Sequence, residues 1–270
     1  MPPRLPFNAL SSLACTAALT LASGSLALAG DSVDYQVNGE SFQGYLAKAE
    51  GEPRGSVLII HDWDGLTEYE RQRAEMLAKA GFDAFAADLY GAGNRPAETE
   101  AKKAATAALY EDRERMRQLT LAGLDQAREQ GAAQQTVVMG YCFGGAVVLE
   151  LARSGAAQDV QGYASFHGGL VTPDGQGYGA DTPPVLIAHG GADTSVPMSE
   201  VAALSEELEA AAVPYEIQVY SGAPHAFTVF GSDRYRERAD QASWSAFHEL
   251  LERTLGGGSP SNATGTNSEG

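Results

Sequence analysis

Thr136-Val137-Val138-Met139-Gly140-Tyr141-Cys142-Phe143-Gly144-Gly145-Ala146-Val147-Val148-Leu149-Glu150 is the stretch on which the reading of this chain turns. An apolar, β-branched run stops at Gly140, and helix formers resume after Gly144. The order predicts a buried strand, a sharp turn and a helix. Cys142 stands on the turn in the frame G-x-C-x-G, the nucleophile-elbow pattern with sulfur in place of a serine oxygen. Such a turn strains the nucleophile's backbone and leaves no room for bulky neighbours, hence the glycines. The helix that follows would aim its N-terminus at the sulfur, favouring thiolate and offering N–H donors to an oxyanion. A buried structural cysteine in a glycine-rich turn is the plainer alternative. Strand, glycines and helix together favour the chemical one.

Working outward, the pattern alternates. Val33–Val37 and Ser41–Leu46 flank Asn38-Gly39, a strong hairpin signal because a type I′ turn needs positive φ at both positions. Ser56–Ile60 is apolar throughout, as a strand buried on both faces would be, and it runs into His61-Asp62-Trp63-Asp64-Gly65. Thr67 and Glu70 form a capping box for a helix that Gly81 ends. Phe82–Ala87 is the next strand, closing on Asp88-Leu89-Tyr90-Gly91. Residues 97–130 read as two helical pieces whose charges are taken as a solvated face. After the elbow come strands at Val160–Phe166, Pro184–Ala188 and Tyr215–Tyr220. A long loop at 168–183, placed to border a pocket, separates the first two. Helices at Ser199–Ala212 and 233–254 complete the alternation. It implies an α/β fold: a mostly parallel sheet with an antiparallel N-terminal hairpin at one edge and helices on both faces.

Composition narrows the role. With Lys+Arg 18 against Asp+Glu 35, a net charge of −17 over 270 residues leaves no basic surface for nucleic acid. Arg4, the apolar run Ala9–Ala22 and the small-x-small motif Ala27-Leu28-Ala29 predict a secretory signal over 1–29, cut after Ala29. The expected location is therefore periplasmic or secreted, with no membrane association once the signal is gone. The domain would span 30–255, followed by a Gly/Ser/Asn/Thr-rich disordered tail at 256–270. Cleavage would remove Cys15 and leave Cys142 as the single thiol, so no intramolecular disulfide is expected. No histidine–carboxylate cluster has metal spacing and no dinucleotide fingerprint occurs, so neither a metal nor a cofactor is expected.

Parallel sheets place chemistry outside the carboxyl ends of their strands. Cys142, Asp193 in His189-Gly190-Gly191-Ala192-Asp193, and His225 in Gly222-Ala223-Pro224-His225 each follow a predicted strand. Nucleophile, acid and histidine in that order is the α/β-hydrolase order. Taken singly, Asp193 reads equally well as a turn or cap residue, and His225 is one of 5 histidines.

These motifs, with Asp88-Leu89-Tyr90-Gly91, Val196-Pro197 and Gly222-Ala223-Pro224-His225-Ala226-Phe227, make the chain similar to the dienelactone hydrolase family over about Val33 to Leu255. The resemblance implies the α/β-hydrolase fold and a Cys142–His225–Asp193 triad. It also implies an oxyanion hole at the backbone N–H groups of Trp63 and Phe143, and Asp62 as partner of the resting thiol. His61, Tyr90, Arg95, His167 and Phe227 are the expected substrate contacts. Of the two family arginines that grip a substrate carboxylate, one is represented by Arg95 at a shifted spacing and the other is Val229. The expectation is thus a hydrolase of small, neutral esters or lactones working through a thioester. A thiol elbow of the glutamine-amidotransferase kind would place a histidine directly after the cysteine, where Phe143 stands. A non-catalytic or thiol-redox binding protein on the same scaffold is the alternative from another class. Turnover of a simple aryl ester separates them. The sequence leaves oligomeric state open.

Overall fold

The computed structural model describes Met1 and residues 30–256. The expected leader (Met1 aside) and the expected tail beyond Gly256 lie outside the described residues.

Eight strands form one sheet in the order β1-β2-β4-β3-β5-β6-β7-β8. The hairpin of β1 (Asp31–Val37) and β2 (Glu40–Ala47) is antiparallel, and β2 adds antiparallel to β4 (Asp83–Ala87). Its turn has φ of 51° at Asn38 and 82° at Gly39, the left-handed pair that Asn-Gly accommodates. All other pairings are parallel: β3 (Ser56–Ile60) with β4 and β5 (Thr136–Tyr141), then β6 (Val160–Phe166), β7 (Val185–Gly190) and β8 (Tyr215–Tyr220).

Helices cover both faces, as the near-continuous apolar strands require. On one face α1 (Glu68–Lys79) and α6 (Glu237–Leu255) bury Ala74, Leu77, Phe247 and Leu250 against Val57, Ile59 and Met139. On the other, α3 (Arg113–Glu129), α4 (Phe143–Ser154) and α5 (Met198–Ala210) bury Met116, Leu119, Val147 and Leu204 against Leu58, Val138 and Ile187. The capping box of α1 forms in full, Thr67 accepting from Tyr69 N and Glu70 receiving Thr67 N–H. Among the described residues no helix is long and apolar enough to cross a membrane.

Three local expectations change. The charge of 97–130 is more than a solvated face. The region splits at Asp112 into α2 (Thr99–Glu111) and α3, and Arg113 and Arg117 of α3 reach into α4 to pair with Glu150, only 1% exposed, at 2.9 and 2.5 Å. Helix α6 begins at Glu237 because successive turns occupy 229–236: Ser232 N–H donates to Val229 O and Tyr235 N–H to Ser232 O. The 168–183 loop borders the central cavity only at Gly169, since its far half is tied to α4 through Arg153, which donates to Gln176 and the Tyr178 hydroxyl.

Candidate active site

Cys142 follows the last residue of β5, between β3 and β6, and caps α4 with φ 51° and ψ −110°. This non-glycine residue in a strained region is held by the strand before it, the helix after it, and its N–H bond to Phe166 O at 3.0 Å. The elbow glycines are needed for space. A Cβ on Gly140 would collide with the backbone of Gly144, and one on Gly144 with the carbonyls of Ile60 and His61.

Asp193 and His225 arrive from the loops after β7 and β8. His225 Nε2 lies 3.0 Å from Cys142 Sγ, and Nδ1 lies 2.8 Å from Asp193 Oδ2. The other carboxylate oxygen accepts from Ser195 and Val196 N–H at 2.7 and 3.0 Å. Burial alone would raise the Asp193 pKa, but His225 and these two amides outweigh it and hold the carboxyl below its ordinary range. A carboxylate so placed fixes Nδ1–H as donor and leaves Nε2 as acceptor toward the sulfur.

The thiol pKa is pushed well above its ordinary value. Burial contributes most, then the charge of Asp62 and its hydrogen bond to the sulfur; the Phe143 N–H acts in the opposite sense. Asp62 is itself raised to about 6, first by burial and also by nearby Asp64, while Trp63 N–H lowers it. Its Oδ1 accepts that N–H at 2.5 Å, so one of the two expected oxyanion donors is occupied at rest.

These residues open on a cavity of about 370 Å³ whose walls include Trp63, Phe143, Tyr110, Thr106, Val196 and Arg234. Tyr110, Thr106 and Arg234 were not anticipated. The first two come from α2. Tyr110 stacks edge-on against Phe143 at 5.5 Å, and Lys102 joins α2 to Asp64 at 3.5 Å. One signal was available: Tyr110 is the lone aromatic on a helix otherwise rich in Ala, Lys and Glu.

None of the five expected substrate contacts lines this cavity. His61 is fully buried, its Nδ1–H donating to Asp62 O at 2.6 Å and its Nε2 accepting from Leu89 N–H at 3.1 Å. Tyr90 stacks on that ring at 4.6 Å and donates to Trp63 O. Arg95 is a strut: its guanidinium is spent on the carbonyls of Leu66, Gly91 and Asn94 and on Asp88, 3.3 Å away. His167 and Phe227 are buried beneath His225. The His167 ring lies 5.3 Å from that of His225, and its Nε2 meets Thr228 Oγ1 at 2.8 Å. Burial, then the neighbouring His225, holds His167 well below the usual histidine range, so it is neutral. Among the described residues no group of three or more His, Cys, Asp or Glu is placed to hold a metal ion.

A cysteine on a strained elbow after β5, faced by aspartate and histidine from the loops after β7 and β8 of a mostly parallel sheet, defines the class: an α/β-hydrolase fold enzyme. The profile of the dienelactone hydrolase family matches residues 42–255, and the chain belongs to that family. It is accordingly a hydrolase, of a family acting on ester and lactone bonds. A Bradyrhizobium sp. protein described as "Probable 2-oxo-3-(5-oxofuran-2-ylidene)propanoate lactonase" is 27% identical, covering 81% of this chain and 92% of that one. A carboxymethylenebutenolidase homolog of Mus musculus is 24% identical over 76% of this chain and 81% of its own. The crystal structure of a dienelactone hydrolase-like promiscuous phosphotriesterase, P91, from metagenomic libraries superposes with a TM-score of 0.76. It is 29% identical, over 83% of this chain and 98% of that one.

Proposed function

We propose that this chain hydrolyses small ester or lactone substrates through a covalent thioester on Cys142, with His225 as proton carrier and Asp193 as its orienting acid. The observation that carries the reading is the continuous Asp193–His225–Cys142 contact of 2.8 and 3.0 Å on the wall of the cavity. Sγ attacks the carbonyl carbon as His225 Nε2 takes the thiol proton. Negative charge then gathers on the carbonyl oxygen, where Phe143 N–H at the start of α4 and Trp63 N–H would meet it. Collapse expels the alkoxide, which takes the proton from His225 and leaves an acyl thioester. Water, deprotonated by His225, cleaves the thioester and restores the thiol. Asp62 ties the cycle to substrate: an incoming carbonyl oxygen competes with its carboxylate for Trp63 N–H. Once displaced, the negative charge that disfavours thiolate leaves the sulfur.

Charge preference follows from where the arginines are. A buried, hydrogen-bonded arginine clamp contributes about 1.5–3 kcal/mol, roughly 10- to 100-fold in kcat/KM. Arg95 is spent on backbone carbonyls and Asp88, and Arg234 at the cavity is exposed. An exposed guanidinium contributes only about 0.2–1 kcal/mol, a few-fold at most. Neutral acyl groups are therefore the preferred substrates.

Turnover of p-nitrophenyl acetate, with acid quench and intact mass, tests the reading. One acetyl per chain should accumulate on Cys142 and disappear in C142A, whose residual rate should not exceed roughly 10³–10⁴ over water. Full activity in C142A would end the thioester mechanism, and an alkylatable thiol without turnover would favour the non-catalytic alternative. On the same preparation, a carboxylate-bearing dienelactone preferred tenfold or more, after correction for leaving-group reactivity, would overturn the neutral-substrate assignment.

A further inference from the structure

Glu75, in the middle of α1, is only 8% exposed, and among the described residues its carboxylate pairs with no lysine or arginine. A buried carboxylate without a countercharge is costly. What it does hold is the Tyr45 hydroxyl, which donates to Oε1 at 2.5 Å, and the main-chain nitrogen of Gly30, which donates to the same oxygen at 2.7 Å. The Tyr45 oxygen lies 2.9 Å from that same nitrogen. Two acceptors thus converge on one nitrogen, and a peptide amide has a single hydrogen to divide between them. An α-ammonium group has three hydrogens and the missing positive charge.

The surroundings also select the residue. A Cβ on Gly30 would run into Leu46 O and approach the Tyr45 ring carbon and hydroxyl to 2.7 Å, so only glycine fits. The Arg71 guanidinium lies over the Tyr45 ring, 5.5 Å from its centroid. Ala27-Leu28-Ala29 ends immediately before this glycine.

We propose that Gly30 is the amino terminus of the exported, mature chain, and that Glu75 and Tyr45 form a built site for its α-ammonium group. Cleavage after Ala29 turns a shared amide hydrogen bond into an ion pair, so removal of the leader itself strengthens the fold where β1 joins α1. The site is independent of the chemistry at Cys142.

A double-mutant cycle tests it, using chains that begin at Gly30 or at Leu28, each with and without E75Q, unfolded in urea. E75Q should lower the folding equilibrium constant roughly tenfold more in the Gly30 chain than in the Leu28 chain. Equal losses would overturn the proposal. A second measurement needs no variant. At pH 8 the Gly30 α-amine of the native protein should acylate about tenfold more slowly than that of an unstructured peptide, because the carboxylate favours its charged form. A peptide-like rate would overturn the site, and an exported protein beginning at any residue other than Gly30 would overturn the processing assignment.

Discussion

The proposed thiol chemistry turns on Asp62, whose buried carboxylate faces the sulfur that this chemistry would ionise. In D62N the side chain can still accept Trp63 N–H while the charge beside the sulfur is gone. The pH midpoint of Cys142 alkylation should fall by about one unit or more; an unchanged midpoint would mean that burial alone sets the thiol. The same substitution alters stability. The Asp62 pKa is raised by burial from 3.8 to about 6, so between those values the folded chain holds a proton that the unfolded chain has lost. Stability from this group is present below the lower value and declines as pH rises through the window, by on the order of 2–3 kcal/mol. Urea midpoints across that range should decline less in D62N than in the wild type. The sequence placed Asp62, Cys142, Asp193 and His225 after strand ends, where parallel sheets expose side chains. It did not show which way each end residue turns. His61 follows its strand just as Asp62 follows His61, yet its ring points back to Leu89 N–H rather than into the cavity.

At the scale of elements, what is encoded locally was legible and what is encoded by docking was not. Asn38-Gly39, the Thr67–Glu70 capping box and the elbow glycines each act within a few residues, and their patterns are visible in one dimension. Helix α2 lines the cavity with Thr106 and Tyr110 and is joined to Asp64 through Lys102, contacts that no periodicity reveals. The same holds for Glu150, which reads as one more carboxylate on α4 yet gathers Arg113, Arg117 and Arg153 and receives the Gln176 amide. Burial opposes its ionisation, but these partners outweigh it and hold its pKa below 4.5. Its contribution is therefore complete above the ordinary carboxylate range and lost as pH falls through the lowered value. E150Q keeps the volume and removes the charge, leaving three arginines, two of which reach solvent. The expected loss is about 1–3 kcal/mol in urea unfolding at pH 7, shrinking toward pH 3. A loss that did not depend on pH would assign the effect to packing.

For the molecule as a whole, alternating strands and helices announced a parallel sheet, while strand order, a non-local property, had to come from the structure. That order gives the proposed reacting groups unequal supports. Cys142 rides on β5, whose six residues are all buried between β3 and β6. His225 hangs from the loop after β8, an edge strand that is partly exposed along its whole length, with Val219 at 44%. Local opening is easiest where few buried contacts must be given up. On heating, the base should therefore come away while the sulfur is still in place. Ester turnover should vanish at a temperature a few degrees below the near-UV CD midpoint, with β8 amides exchanging well before those of β5; coincident midpoints would contradict this. The enzyme would then fail first as a catalyst and only later as a fold, and brief heating below the melting point should leave activity that returns on cooling.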